Sequence, residues 1–224
     1  MPLSDNERKQ IHQLIEEAGG ESNPSGWFEP LYQQAQRNEN GVPWASMAAN
    51  PLLHEWLQQQ PTVQQESRAL VLGCGLGDDA EALAHAGYQV TAFDISETAI
   101  AWVQERFSSS TVIYEVGDLF NPKPKWRHQF DLVFECRNFQ ALPMGKREPG
   151  MRAIANCVAP QGKFLMITNY RGDSELQGGP PWALGEDELN AFLQEGLQEV
   201  HRQTFASAQS HLFPKLRVEY RRPA

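Results

Sequence analysis

Apolar residues recur along this chain with two different periods, and the change falls near residue 68. Before it, Ile11, Leu14, Ile15 and Ala18 fall at helical spacing, which predicts an amphipathic helix over residues 5–18. Ser4 supplies its cap, Glu7 stands at capping-box distance, and Gly19-Gly20 stops it. Residues 21–61 read as irregular or loosely helical and are dense in aromatics: Trp27, Phe28, Tyr32, Trp44 and Trp56. Within them Pro51 opens a short helix over 52–59. From residue 68 strand-like and helix-like runs alternate. Strands are predicted at 69–73, 89–94, 111–116, 130–135 and 163–169, and helices at 78–86, 96–107, 146–158 and 186–195. Such alternation predicts an α/β fold, a doubly wound parallel sheet covered by helices. The runs at 130–135 and 163–169 are nearly continuous apolar stretches, as strands buried on both faces require. Two further strands, 198–206 and 212–221, are joined by the short stretch Ser207–His211. Only a hairpin spans so short a gap, so the last strand enters antiparallel and completes a seven-stranded sheet. Residues 121–127 and 171–182, the latter with Gly178-Gly179-Pro180-Pro181, are loops. The expected organisation is one structural unit, an N-terminal helical lid (1–61) on a sheet domain (62–224).

Composition narrows the picture. The chain has 224 residues, a formal charge of −9 and 41% hydrophobic residues, enough to build a core. No apolar run approaches the roughly 18 residues of a membrane helix. Met1 to Gln10 has no apolar signal core. The acidic balance disfavours nucleic acid as a partner. Three widely spaced cysteines, Cys74, Cys136 and Cys157, suit reduced thiols in a cytoplasm better than a disulfide framework. None has zinc-ligand spacing, so no metal is expected. A monomer or weak homodimer is the simplest assembly.

The chemistry concentrates where the first strand ends. Residues 69–77 read Ala-Leu-Val-Leu-Gly-Cys-Gly-Leu-Gly, and a helical segment follows at once. Gly73, Gly75 and Gly77 allow a sharp turn and the approach of a ligand to bare backbone. The helix from Asp78 presents free N–H groups and a positive dipole end. Asp94 lies 21 residues after Gly73, at the end of the second strand, where a carboxylate can accept hydrogen bonds from both hydroxyls of a ribose. A Rossmann-like fold with a nucleoside-bearing cofactor at the tip of its sheet follows. The plain alternatives are a tight turn with no ligand and, for Asp94, a helix cap. Asp78-Asp79 at the helix start would repel a pyrophosphate but pair with an ammonium. S-adenosyl-L-methionine is therefore favoured over a nicotinamide dinucleotide.

The set Val71-Leu72-Gly73-Cys74-Gly75-Leu76-Gly77, Val90 to Ser96, Gly117-Asp118-Leu119-Phe120 and Phe130 to Glu135 resembles class I S-adenosylmethionine-dependent methyltransferases. A narrower likeness rests on Trp27 to Tyr32, Gly41-Val42-Pro43-Trp44, Gln140-Ala141-Leu142-Pro143 with Arg147, and Gly179-Pro180-Pro181-Trp182, which are similar to the thiopurine/thiol/halide methyltransferase family. That resemblance implies that Trp27, Tyr32 and Trp44 line a cofactor pocket. It implies further that Asp94 holds the ribose, Asp118 with Leu119 the adenine, and that Glu135 falls beside the methionine moiety; Gly73, Cys74, Gly75, Gly77 and Ile95 complete the expected cofactor-binding set.

Methyl transfer from a sulfonium is an in-line displacement that draws on alignment and water exclusion. Trp27, Trp44 and Phe139 are candidates for cation–π contact, or are plain core. A thiolate or halide acceptor needs no base; a hydroxyl or ammonium does. His128, Glu135 and Tyr170 are the candidate bases. Arg137 and Arg147 are candidates to lower a thiol's pKa or to bind an acceptor's carboxylate. The expected function is methyl transfer to a small molecule, a thiol or similar soft nucleophile first. The alternatives are an N- or O-methyltransferase, a protein that binds the cofactor without catalysis, and a nicotinamide-dependent oxidoreductase.

Overall fold

The computed structural model describes residues 5–175, 179–207 and 213–224. The Ser4 cap, Gly178 and the hairpin residues 208–211 lie outside the described residues. Five parallel strands form the centre: β1 (Arg68–Leu72), β2 (Gln89–Asp94), β3 (Ile113–Val116), β4 (Phe130–Cys136) and β5 (Val158–Gly172). A two-residue strand, β6 (Leu184–Gly185), pairs with the end of β5. The last two strands are β7 (Gln198–Phe205) and β8 (Lys215–Arg221). The main order is β3-β2-β1-β4-β5-β8-β7, with β8 antiparallel to both its neighbours. The seven predicted strands and the inverted last one are thus present, and β6 is the addition. Two residues carry no periodicity, so β6 escapes the pattern, and β5 runs beyond the predicted 163–169 at both ends.

Seven helices are described: α1 (Asp5–Glu17), α2 (Phe28–Ala35), α3 (Pro51–Gln59), α4 (Asp78–His85), α5 (Glu97–Arg106), α6 (Met144–Cys157) and α7 (Glu186–Gln194). Among the described residues no helix is long and apolar enough to cross a membrane. Alternate residues of the strands face opposite sides. Leu70, Leu72, Val133, Phe164 and Met166 join Ile154 of α6 and Leu189 and Phe192 of α7 in one core. Ala69, Val71, Leu132, Phe134, Leu165 and Ile167 join Leu53 and Trp56 of α3, Leu83 of α4 and Val103 of α5 in the other. Each fully buried Leu or Phe here contributes about 1.5–3 kcal/mol.

The helix after Pro51 therefore covers the sheet itself. Asn50 caps α3 by accepting from Leu52 N at 2.9 Å, and Trp56 Nε1 donates to Glu219 of β8 at 2.8 Å. The fully buried Arg217 of β8 donates to Leu52 O at 2.7 Å. The earlier segment builds a third core: Ile11, Leu14, Trp27, Leu31 and Tyr32 pack on Leu76 and on Ala99 and Trp102 of α5. Glu29 fastens it. Its carboxylate accepts from Ser96 Oγ at 2.5 Å, from Thr98 Oγ1 at 2.5 Å and from Thr98 N at 3.1 Å, all at the start of α5.

Candidate cofactor and active site

From β1 the chain runs outward to β2 and β3 on one side, and it returns to β4 and β5 on the other. The gap beyond the carboxyl ends of β1 and β4 is the place where such a sheet accepts ligands. A crevice of about 580 Å³, counted out to its open mouth, lies there. Leu72 and Gly73 form its floor with Phe93, Asp94 and Ile95 from the end of β2. Gly117, Asp118 and Leu119 follow β3, and Glu135, Asn138 and Phe139 end and follow β4. Leu142 and Ile154 close the far wall, and Ser25 and Phe28 reach over from the N-terminal segment.

Local chemistry explains the shape. Gly73 holds φ +53°, and a Cβ there would stand 2.3 Å from Asn138 Oδ1. Asn138 also donates to Leu72 O at 2.8 Å, so this side chain seals the turn that the glycine opens. Gly77 holds φ +89°, and a Cβ would collide with Val103 of α5 at 2.3 Å. Cys74 N donates to Phe93 O at 2.9 Å and pins the turn to β2.

Three carboxylates line the crevice. Asp94, 6% exposed, accepts from Gly75 N at 2.9 Å and from Ser96 N at 3.0 Å. Burial raises its pKa, and the backbone N–H groups of Ser96, Gly75 and Ile95 oppose that rise. Two backbone bonds leave lone pairs for a diol. Asp118 Oδ1 accepts from Phe120 N at 2.9 Å. Glu135 is 1% exposed, and its Oε1 accepts from Phe139 N at 2.8 Å. Its Oε2 is buried with no partner among the described residues. Burial pushes the Glu135 pKa up to about 7, against the pull of the Phe139 and Asn138 N–H groups and the Arg137 charge.

The predicted residues divide. Gly73, Asp94, Ile95, Asp118, Leu119 and Glu135 line the crevice. Cys74, Gly75 and Gly77 shape the turn behind it. Trp27, Tyr32 and Trp44 do not line it; Phe28 and Ser25 do. Trp27 stacks on Phe28 with centroids 4.0 Å apart, and Trp44 Nε1 donates to the Tyr32 hydroxyl at 3.1 Å. The three larger rings therefore back the one that faces the site. Tyr32 reaches the glycine turn all the same, since a Cβ on Gly75 would lie 3.0 Å from its hydroxyl.

Three of the expected chemical roles fall away from the crevice. The Tyr170 hydroxyl donates to Glu186, and this hydrogen bond holds the phenol above its ordinary range, the wrong direction for a base. Arg147 is 3% exposed and donates to Leu142 O at 3.1 Å and Trp182 O at 3.1 Å. It also pairs with Glu188, which holds Arg171 at 3.1 Å through its other oxygen. Burial, with the Arg171 charge next, brings Arg147 down to about 10. Its work is to clamp the stretch after β5 to α6 and α7. His128 precedes β4, at the opposite end of the sheet, and its Nδ1 bonds Val158 O at 3.0 Å. Burial pushes the Cys136 thiol up to about 12, and Asn50 Nδ2 donates to its sulfur at 3.1 Å, so it is packed rather than nucleophilic.

Sequence reasoning missed Asn138, Leu142, Ile154, Phe93 and Ser25. Only Asn138 left a signal, a polar residue three places after Glu135 where a buried strand ends. It also missed that Asp79 of α4 accepts from Asn50 N at 2.6 Å. Burial raises Asp79 to about 6, opposed by that hydrogen bond.

Comparison with known proteins agrees with the geometry. The chain is 27% identical over 190 residues to "Probable thiol methyltransferase 2" of Arabidopsis thaliana, covering 83% of this chain and 77% of that one. It is 28% identical over 158 residues to the thiopurine S-methyltransferase of Vibrio parahaemolyticus, covering 62% and 70%. Among solved structures, N-methyltransferase NodS of Bradyrhizobium japonicum WM9, in complex with S-adenosyl-L-homocysteine, superposes with a TM-score of 0.66 at 21% identity. That likeness covers 87% of this chain and 99% of NodS and shows the shared fold. The sequence profile described as thiopurine S-methyltransferase matches residues 32–219. The chain belongs to the thiopurine S-methyltransferase family and is an S-adenosylmethionine-dependent methyltransferase.

Proposed function

We infer that this enzyme methylates a small soft nucleophile, a thiol before any other. The observation that carries the reading is Glu135 Oε2, a buried carboxylate oxygen without a partner in a crevice at the carboxyl ends of parallel strands. A buried carboxylate asks for a cation. The ammonium of a methionine moiety fits it; a pyrophosphate does not. Glu135 would hold that ammonium, Asp94 the ribose diol, and Asp118 with Leu119 the adenine. When bound, S-adenosyl-L-methionine supplies a methyl group on a positively charged sulfur. The chain's own residues orient it and exclude water, and the faces of Phe28 and Phe139 favour positive charge near them. Among the described residues no histidine, lysine, cysteine or tyrosine lines the crevice, and Glu135, the one candidate base that does, is assigned here to the cofactor's ammonium. That supports an acceptor that arrives as an anion or a polarisable sulfur and needs no base. The names of the Arabidopsis and Vibrio relatives support sulfur as the atom methylated.

In this reading the N-terminal segment is a lid held by Glu29 and completed by Phe28. The enzyme works as a monomer or weak homodimer in the cytoplasm, on neither nucleic acid nor membrane; the acidic balance and free cysteines support this. Calorimetric titration with S-adenosyl-L-homocysteine should give saturable binding, and NAD should give none. A panel with labelled methyl groups should then label thiols, thiopurines or thiocyanate. Labelling of amines or phenols alone would overturn the choice of acceptor.

A further inference from the structure

Glu29 and Arg137 each adjoin a lining residue in the chain without lining the crevice themselves: Glu29 follows Phe28, and Arg137 precedes Asn138. Of the two, Glu29 is bound through its side chain to a residue that also holds a lining carboxylate. That residue is Ser96, which is fully buried and bonded in three directions. Its Oγ donates to Glu29 Oε2 at 2.5 Å and accepts from Ala99 N at 2.9 Å, which caps α5. Its N–H donates to Asp94 Oδ1 at 3.0 Å. The Glu29 carboxylate takes three further bonds, from Thr98 N at 3.1 Å, Thr98 Oγ1 at 2.5 Å and Gln33 Nε2 at 2.8 Å. Burial raises its pKa, but the Ser96 and Thr98 hydrogen bonds outweigh that and hold it below the ordinary carboxylate range. The start of α5 favours a negative charge as well. Glu29 is therefore ionised and locked while α2 is seated.

Seating α2 puts Phe28 and Ser25 on the crevice wall. A ligand in the crevice meets these two residues only when the segment is docked, so it favours the docked state by that difference. Asp94 belongs to the same arrangement. Its Oδ1 is held by Ser96, whose hydroxyl is held by Glu29, and its Oδ2 is held by Gly75 N. Burial raises the Asp94 pKa, and the charge of Glu29 adds to the rise. We propose that Glu29 is a positioning residue: through Ser96 it couples the docking of the N-terminal segment to the grip of Asp94 on the cofactor's ribose. This rests on the methyltransferase reading above and goes beyond the lid, because it makes the two events one cooperative step. By linkage, whatever factor docking adds to cofactor affinity, the cofactor adds to docking. Arg37 offers the contrast. It ties the stretch after α2 to α5, donating to Thr98 O at 2.9 Å and pairing with Glu105 at 2.8 Å, and neither bond involves Ser96 or Asp94.

The test is isothermal titration of the full chain with S-adenosyl-L-homocysteine. Wild type should bind, and failure to do so would overturn the methyltransferase reading itself. Glu29→Gln should weaken binding about tenfold, within the usual range of coupling between sites. Asp94→Asn should weaken it too, and the double variant should lose at least about fivefold less than the product of the two losses. Losses that multiply would make the latch independent of the ribose grip and overturn the proposal. Arg37→Gln should cost less than about twofold. A loss equal to that of Glu29→Gln would mean that Glu29 only fastens the segment, and would overturn it as well. A second measurement needs no change at Glu29. Trypsin cleavage after Arg37 reports undocking of the segment. Saturating S-adenosyl-L-homocysteine should slow that cleavage about tenfold in wild type and much less in Asp94→Asn. Equal cleavage with and without the ligand in wild type would overturn the proposal.

Discussion

Glu135 couples stability to pH through one proton and, on the proposed function, cofactor binding with them. Its pKa stands at about 7 rather than 4.5 because burial disfavours the charge. Below pH 4.5 both the folded and the unfolded chain hold the proton. Between 4.5 and about 7 the unfolded chain releases it while the folded one keeps it, so stability falls as pH rises through that window. The loss is complete above about pH 7 and amounts to about 3 kcal/mol. Glu135→Gln removes the titration and keeps an oxygen for Phe139 N. The ligand-free variant should therefore gain on wild type as pH rises, by up to about 3 kcal/mol at pH 8. For a chain of this size that is a Tm difference of about 6–12 °C. Asp79 and Asp94 titrate in both proteins and cancel in the comparison. Thermal unfolding from pH 5 to pH 8 measures the gap. The same substitution should weaken S-adenosyl-L-homocysteine. It should also abolish the wild type's loss of affinity below pH 7, about tenfold per pH unit. A stability gap that stays constant from pH 5 to pH 8 would refute the reasoning.

Asp94→Ala removes the carboxylate proposed to accept from two ribose hydroxyls and should weaken S-adenosyl-L-homocysteine by about 2–4 kcal/mol in calorimetry. Unchanged affinity would refute the ribose assignment. Arg147→Ala leaves Glu188 only Arg171 and the Gly185 N–H, both on its other oxygen, in a buried clamp and should destabilise the fold by about 3 kcal/mol in urea unfolding, while KM for the acceptor stays within about twofold. Tyr170→Phe should leave kcat within about twofold at every pH, because the hydroxyl serves Glu186 and not the reaction. Deleting residues 1–45 should abolish turnover, and Phe28→Ala should lower cofactor affinity about tenfold through loss of one ring face. Wild-type activity in the truncated protein would end the lid reading.

What was legible followed from short-range physics. The parallel strands showed as apolar runs because both of their faces are buried, as the full burial of Leu70, Val133 and Leu165 bears out. The glycine turn and Asp94 were legible because each answers a local backbone demand at a strand end. The lid was only half legible. Its aromatics were visible, but one indole looks like another in a sequence, and which ring faces a crevice depends on how α2 rolls onto α5. The roles of Arg147 and Tyr170 were not legible at all. An arginine in the first turn of a predicted helix reads equally as a ligand contact or as a clamp, and Glu188, which decides the matter, lies 41 residues away in the chain.

By itself the sequence determined the α/β alternation, the inverted last strand, the class of cofactor and the family to which the chain belongs. These depend on residue type, spacing and burial pattern, which act over a few residues at a time. Only the tertiary structure decided which buried polar atoms are paired and which are not. Among the described residues, no neighbour that the fold brings to Glu135 Oε2 or Arg137 Nε satisfies it. A hydrogen bond is settled by tenths of an ångström between groups far apart in the chain, a quantity no linear pattern carries.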